Sequence, residues 1–391
     1  VADAGSARSE LPLGGVEVLD VGTQTPGKYA SLLLAELGAA VVRIERPARP
    51  EARGISAEDL HLNRGKRSIA LDLRSDAGRE VALRLAARAD VLIESFRPGV
   101  AGRLGIGPSQ LRARNPRLVY CSLSGFGQEG PYRDRPAYDL TLLGLSGVLD
   151  ALFGTAAAPR PPGTYLADGI SGLVSALAIA AALHGRERSG EGRHLDLAML
   201  DSIFSLLSVS HGARRSTGEI PTAPSRSPLY DCYETADGRF LTLAAIRPAS
   251  GRALLEALGR PDLAEQAVSS GEAGEAVAAF LRDTFKGAPA HAWLERLAPL
   301  DLEIGPVHTP AEAFDDPQLR ARAMVLDTSH PEAGDHQQIG SALGTGATRA
   351  HTPLGPAPAA GADTEEVLRE LGYEAATIAA LRGSPVGDSP A

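Results

Sequence analysis

Asp168 is the residue on which reactive chemistry can be built. It stands in YLADGISG, just ahead of Leu173–Leu183, an apolar run of small residues with no formal charge. An aspartate at such a point is a natural helix N-cap, because its carboxylate accepts the unpaired amide N–H groups of the first turn. The same acid held in a dry pocket is a reactive group. With N–H donors around it, it can attack an activated acyl carbon and form a mixed anhydride. With a second acid–base partner facing it, it can take a proton α to a thioester carbonyl. Gly169 and Gly172 beside it let backbone or ligand come close. Cap and reactive carboxylate are both open readings here.

The second group of chemistry-bearing residues is cationic. Arg43, Arg46, Arg49, Arg53, Arg64, Lys66 and Arg67 concentrate positive charge within twenty-five positions of a chain whose net charge is −9. Such a strip is either a solvated basic face or a clamp for phosphates, which the arginine fork suits. Other chemistries lack their residues. The nine histidines are scattered, with no HExxH and no CxxC, so no metal is expected. There is no GxSxG serine and no P-loop lysine, which disfavours the commonest hydrolase and NTPase readings.

The elements that must position these groups alternate. VEVLDV (16–21) predicts a strand, KYASLLLAEL (28–37) a helix closed by Gly38, and AVVRI (40–44) a second strand. That is a βαβ unit, hence parallel sheet. Its first loop, GTQTPG, lacks the GxGxxG spacing, so no redox dinucleotide site (no NAD) is expected. Strands at 68–73, 90–94 and 117–123 and helices at 77–87 and 100–114 extend the pattern into an α/β layer. SFRPG follows the 90–94 strand, and in open parallel sheets ligands bind outside such carboxyl ends. SGFGQEGPYRDRP (124–136) is a loop, and LTLLGLSGVLD a helix candidate. Leu173–Leu183 predicts a buried core helix, too short to span a membrane, with GRERSGEG as a turn and HLDLAML as a new element. A helix continues over 202–213, and the linker-like stretch 215–229 places a domain boundary near 225. Beyond it, YDCYETADGRFLTLAAI predicts a hairpin turning at Asp237–Gly238, and helices are expected at 250–258, 274–283 and 290–297. A capped helical start is read at His308. Residues 332–363 thread back toward the first domain, and two short helices split by Gly372-Tyr373 close the chain. The first twelve and last ten residues are expected to be loose.

At 391 residues, with 43% hydrophobic and 4% aromatic content, the chain can bury a sizeable core of Ala, Leu and Val. Its acidity gives no reason to expect nucleic acid or an anionic membrane. Cys121 and Cys232 read as two buried thiols of a reducing compartment. With no leader-like opening and no 20-residue apolar span, a soluble cytoplasmic protein is expected.

Taken together, LPLGGVEVLDVG, LLLAELGAAVVRIERP, LNRGKRSIALDL, ADVLIESFRPG, NPRLVYCSLSGFGQEGPY, AYD, the Asp168 region, SGEGRHLDLAML and ADGRF resemble the family III (CaiB/BaiF-type) CoA-transferases, which also contain the α-methylacyl-CoA racemases. The resemblance implies a large doubly wound α/β domain from the N- and C-terminal parts (1–224 and 331–391), a small α+β domain between them (225–330), and an interlocked homodimer. It implies coenzyme A thioesters and carboxylic acids as substrates. Asp168 matches the family's catalytic aspartate, which in transferases forms an acyl anhydride and then an aspartyl-CoA thioester.

By the same resemblance, Arg46 and Arg103 match CoA-contacting arginines, and Ser95-Phe96 matches an Asn-Phe pair near the adenine. Lys66 and Arg67 lie in the nucleotide-side loop. Gln24-Thr25 matches the loop over the reacting thioester. Ala137-Tyr138-Asp139 replaces the His-Asp pair of racemases, and a tyrosine, with a reference pKa of about 10, is a poor base at neutral pH. Arg247 stands where racemases carry a glutamate; it reads either as an exposed arginine at a hairpin end or as the binder of an anionic acceptor's carboxylate. The expected function is CoA transfer, with racemase-type proton transfer and a non-catalytic CoA-binding protein as alternatives.

Overall fold

The apolar EVLD segment becomes the centre of a six-stranded sheet because both of its neighbours pair with it in parallel. The computed structural model describes residues 10–47, 55–153, 158–209, 227–268, 272–343 and 354–383. Two compact units divide the chain. One contains the residues up to Val148, Arg160–Leu206 and those from Pro317; the other contains Leu149–Pro159 and Leu207–Asp316. The expected boundary near 225 falls on residues 210–226, outside those described, as do Arg49, Arg53, positions 1–9 and the last eight residues.

In the first unit, β1 (Glu17–Asp20), β2 (Ala40–Glu45), β3 (Arg67–Ala70), β4 (Val91–Glu94), β5 (Val119–Ser124) and β6 (His194–Ala198) form one sheet in the order β3-β2-β1-β4-β5-β6. Every pairing is parallel. The order reverses between β1 and β4. That switch point opens a crevice at the carboxyl ends of the two strands, where doubly wound sheets bind ligands.

The connecting helices are α1 (Thr25–Glu36), α2 (Ala57–Leu62), α3 (Asp76–Arg88), α4 (Val100–Arg103), α5 (Pro108–Arg114), α6 (Asp139–Ser146), α7 (Val148–Phe153), α8 (Leu166–Ser189) and α9 (Met199–Phe204). One face of the sheet packs Val18, Val41, Val91, Ile93 and Val119 against Leu33 and Leu34 of α1 and Ile179 and Leu183 of α8. The other packs Leu19, Ile69, Leu92 and Tyr120 against α3, α5 and the C-terminal helices. Both faces are covered, which is why the strands read as continuous apolar runs.

The structure departs from the sequence reading at several points. α1 starts three residues early, at Thr25, because Pro26 suits the first turn of a helix. The 100–114 stretch breaks into α4 and α5 at Gly105, whose φ of +75° no helix accepts. α8 does not stop at Leu183. It runs through GRERS to Ser189 and ends at Gly190, which is left-handed at φ +75°. At 24 residues it is, by length and composition, apolar enough to cross a membrane, contrary to the expectation of no such span. In this fold its Ala176, Ile179 and Leu183 are core residues. Cys121 is buried as expected, but Cys232 is exposed.

The second unit contains the expected hairpin of β7 (Tyr230–Glu234) and β8 (Phe240–Ala244), extended by β9 (Ile304–Pro306). Against it pack α10 (Pro248–Ala257), α11 (Glu272–Phe285) and α12 (Ala290–Leu297), with Phe285 between Tyr233 and Trp293. α13 (Pro310–Ala313) opens on a capping box between Thr309 and Glu312. From α14 (Pro317–Ala321) the chain belongs to the first unit again, and a hairpin of β10 (Val325–His330) and β11 (Gly334–Ile339) occupies part of a stretch read as an irregular return. The polar faces of these strands conceal their period.

The return segment covers β3, the edge strand of the large sheet. Gly361 N–H donates to Ser68 Oγ (2.8 Å), Asp363 Oδ2 accepts the Ser68 N–H (2.7 Å), and Ala70 N–H donates to Thr364 Oγ1 (3.0 Å). An otherwise unpaired edge is thereby capped. α15 (Thr364–Glu370) and α16 (Ala375–Gly383) follow, separated at Gly372 (φ +81°).

Candidate active site

The crevice at the switch point is a cleft of about 180 Å³ in the first unit. Its floor is made by turns after β1 and β4. The Ser95 hydroxyl accepts the N–H groups of Thr23 (3.0 Å) and Gln24 (3.3 Å), tying the two turns together. Gly22 permits this approach: a Cβ there would lie 3.2 Å from Ser95 Oγ and 3.1 Å from Asp20 Oδ1. Gln24, Ser95 and Phe96 line the cleft, and Thr25, the first residue of α1, sits between Gln24 and Pro26, both cleft residues.

Asp168 lines the cleft together with Tyr138 and Met199. It is not the N-cap of α8. That position is Tyr165, which makes no side-chain cap, and Asp168 is the third residue of the helix. The cap comes from another element. Asp139, the first residue of α6 and buried, accepts the N–H groups of Ala167 (2.6 Å) and Asp168 (3.1 Å) on its Oδ1. A carboxylate at a helix N-terminus is favoured by the unpaired amides and the helix dipole. With the cap supplied from outside, the Asp168 side chain is left for the cleft. Burial, followed by the like charges of Asp139 and Glu58, pushes the Asp168 carboxyl up to about 6.

The helix mount is rigid because α8 crosses α1 closely at Gly172. A Cβ on Gly172 would lie 2.8 Å from Tyr29 Cδ1 and 3.1 Å from the Pro26 carbonyl. Pro26 itself lines the cleft, so this crossing holds the helix of Asp168 against another cleft residue.

The cationic strip divides. Arg46 is exposed, one residue beyond the carboxyl end of β2. Arg43 is buried and pairs with Asp20 (3.0 Å) and Glu45 (3.1 Å). Arg64 is buried against Glu36. Lys66 is fully buried; its Nζ donates to Ser31 Oγ (2.8 Å), the Lys28 carbonyl (2.9 Å) and Asn63 Oδ1 (3.1 Å), with Asp20 at 3.6 Å. Arg67 pairs with Glu370 (2.9 Å) and Glu366 (3.2 Å) on α15. The structure therefore does not bring Lys66 or Arg67 to the cleft. They hold β3, α1 and the C-terminal return together. Burial works against the Asp20 carboxylate, but Arg43, Lys66 and the Ser31 hydroxyl outweigh it and hold it below its ordinary value.

A different set of arginines reaches the cleft. Arg97 comes from the turn after β4, and Arg133 and Arg135 from the loop after β5. Arg103 is near them without lining the cleft: a Cβ on Gly99 would lie 3.3 Å from Arg103 Nη1 and 3.9 Å from Arg133 Nη2. Arg135 stacks over Tyr132 at 4.4 Å. The sequence reading marked both loops as strand-end loops but did not single out Arg97, Arg133 or Arg135. Their signal was arginine inside FRPG and YRDRP. Asp168 is the only carboxylic acid among the described residues lining the cleft, and none of those residues is a histidine. Among the described residues no His/Cys/Asp/Glu group has metal-ligand geometry.

Arg247 lies in the second unit, at the N-cap of α10, where Glu303 (2.5 Å) and Asp301 (3.3 Å) hold its guanidinium. Its charge is already met by two carboxylates, which weakens it as the binder of an acceptor acid.

Residues 13–364 match the sequence profile described as CoA-transferase family III. The chain is 33% identical to a succinyl-CoA:mesaconate CoA-transferase of Haloarcula marismortui, over 93% of this chain and 98% of that one. It is 35% identical to the alpha-methylacyl-CoA racemase of Mus musculus, over 97% and 98%. A crystal structure of a CAIB/BAIF family protein from Brucella suis superposes with a TM-score of 0.80 at 30% identity, covering 92% of this chain and 99% of that one.

Proposed function

The chain belongs to CoA-transferase family III, a family of enzymes acting on CoA thioesters, and on that premise we propose that it moves coenzyme A from an acyl-CoA to a carboxylic acid with Asp168 as covalent nucleophile. The observation that carries this reading is the lone acid of the cleft. Racemisation needs two acid–base groups on opposite faces of the α-carbon. Here Asp168 lines the cleft with Tyr138, and there is no histidine and no second carboxylic acid among the described cleft residues.

In the proposed sequence, an Asp168 carboxylate oxygen bonds to the thioester carbonyl carbon. The C–S bond breaks and CoA leaves as thiolate, giving a mixed anhydride. The thiolate then attacks the Asp168 carbonyl and releases the first acid, leaving an aspartyl-CoA thioester. An acceptor carboxylate attacks that thioester, and the thiolate returns to the acceptor's acyl carbon, freeing Asp168. Arg97, Arg103 and Arg133 supply fixed positive charge for the phosphates of the CoA moiety. Arg46, exposed beyond the same edge of the sheet, joins them in this reading.

We also propose a homodimer, interlocked as the family resemblance implies. α8 exposes Leu173 and Leu177 (41% and 71%), α6 exposes Leu140 and Leu145, and α9 exposes Phe204. An apolar surface of this kind suits a second copy of the chain. Light scattering at micromolar concentration tests it; a monodisperse monomer would overturn it.

The enzymatic reading is tested by screening CoA thioesters against carboxylic acids, with intact-protein mass spectrometry to detect an adduct. Wild-type protein is expected to gain an acyl or CoA mass that hydroxylamine removes, and Asp168→Ala to gain none. Near-full activity in Asp168→Ala defeats the nucleophile. Solvent deuterium entering the α-carbon with no acceptor acid present favours instead the racemase reading, to which the similarity with the mouse enzyme gives weight.

A further inference from the structure

Two acids that do not line the cleft each hold one of its loops. Glu94 is the last residue of β4 and is 3% exposed. Its Oε2 accepts the N–H of Phe96 at 2.8 Å, which sets the turn that carries Phe96 and Arg97. Asp196, on β6, accepts the N–H of Gln128 at 3.0 and 3.1 Å, which sets the loop that carries Phe126, Arg133 and Arg135. Ser122 of β5 is in register with both acids, Glu94 on one side and Asp196 on the other. Residues in register point to the same face. The Ser122 hydroxyl bonds the Glu94 carboxyl and sits 3.0 Å from His194 Nε2. Gly127 completes the second anchor. It is left-handed at φ +81°, and a Cβ there would lie 3.5 Å from Asp196 Oδ1 and 3.5 Å from Ala198 Cβ.

We infer that Glu94 and Asp196 are positioning residues that set the spacing between the two arginine-bearing loops, and so select ligands by their nucleotide end. Neither touches the proposed ligand; each acts through one backbone amide. In the turn after β4, Ser95 ties to the first strand's loop through its hydroxyl, the Arg97 carbonyl accepts the Val100 N–H at 3.1 Å, Phe96 packs on the core, and Glu94 is the side chain that holds the Phe96 amide. The loop after β5 is long and rich in glycine and proline, and Asp196 fastens it near its start. The inference rests on the CoA reading of the cleft. It adds that the affinity contributed by the 3′-phosphoadenosine and diphosphate part depends on these two acids, while the affinity contributed by the pantetheine arm does not.

The test is calorimetric titration of the full-length protein with CoA and, separately, with pantetheine, which lacks the nucleotide. Glu94→Ala and Asp196→Ala remove the accepting oxygen, and circular dichroism checks that each folds; Glu94→Gln and Asp196→Asn keep an acceptor and are expected to bind CoA as wild type does. Each alanine variant is expected to raise the Kd for CoA about tenfold, to leave that for pantetheine within twofold, and to flatten the salt dependence of CoA binding. In a double-mutant cycle, Glu94→Ala is expected to add little once Arg97→Ala is present, because both remove the same loop's contribution. Equal weakening of CoA and pantetheine, or no weakening of either, overturns the inference while leaving the CoA reading intact. Wild-type protein that binds no CoA overturns both.

Discussion

The Asp139 carboxylate caps the helix on which Asp168 rides, accepting the Asp168 amide at 3.1 Å and the Ala167 amide at 2.6 Å. The two acids thus divide the roles that one acid was read to hold in the sequence. One satisfies the helix terminus, and the other is released into the cleft with a carboxyl pushed up to about 6 by burial and by its neighbour's charge.

Replacing Asp139 separates cap from charge. Asp139→Ala removes the acceptor of two buried amides and is expected to cost about 1–2 kcal/mol in urea unfolding. Asp139→Asn keeps an acceptor oxygen but removes the charge. It is expected to move the acid limb of the pH–rate profile downward, since Asp139 is second to burial among the causes holding Asp168 high. An unmoved limb in Asp139→Asn means that this charge is not coupled to Asp168.

Asp168→Asn is expected to stabilise the fold at neutral pH. The native carboxyl keeps its proton to about pH 6, whereas the unfolded one loses it near the ordinary value of 3.8. Native protein therefore binds more protons between these values, and its stability falls as pH rises through that window. The variant escapes the penalty. It should exceed wild type by about 1–2 kcal/mol at pH 7.5, less than the full shift implies because partial solvent access screens it. At pH 4 the gap should close. Chemical denaturation at the two pH values reads this directly.

The internal charges around Asp20 should behave unequally. Asp20→Ala leaves Arg43 and Lys66 buried without their carboxylate and is expected to cost about 3–5 kcal/mol. Lys66→Met leaves the Asp20–Arg43 pair and removes an ammonium whose ionisation burial pulls down to about 7. Its cost should be well below that of Asp20→Ala. Wild-type stability should also gain more than the variant's between pH 7 and 9, because a depressed lysine makes the unfolded state the better proton binder there. Similar costs for the two substitutions would argue against a shared carboxylate.

Gly172→Ala drives a methyl into Tyr29 Cδ1 and the Pro26 carbonyl. A loss of about 1–3 kcal/mol is expected, with a fall in turnover because Asp168 of α8 and Pro26 both line the cleft. Gly169→Ala, whose added Cβ meets nothing within 4 Å, is the control and should be near neutral in stability.

Arg97→Ala and Arg133→Ala are each expected to weaken CoA binding about tenfold, as loss of a charge-assisted phosphate contact would. Arg67→Ala, whose partners are Glu366 and Glu370, should lower stability slightly and leave CoA affinity unchanged. Weakened binding by Arg67→Ala alone would return the nucleotide to the loop in which the sequence placed it.

Sequence by itself determined the parallel α/β layer, since VEVLDV, AVVRI and DVLIE are too uniformly apolar to face water on either side. It also determined that Asp168 begins the long helix, that a hairpin turns at Asp237-Gly238, and, through motifs spread along the whole chain, the family. Periodicity could not tell where helices stop: GRERS has the polarity of a turn, yet α8 passes through it to Gly190. Nor could it sort charges into pairs. Arg43, Arg64, Lys66 and Arg67 read as one basic strip because their partners, Asp20, Glu36, Glu366 and Glu370, come from distant segments. Only the tertiary structure decided that Arg43, Arg64 and Lys66 are spent inside the fold and Arg67 on a surface pair with α15, that arginines of two strand-end loops reach the cleft instead, and that Asp139, twenty-nine positions away, caps the helix of Asp168. Apolar period is a property of neighbouring residues, whereas the partner of a charge is set by which segments the chain brings together.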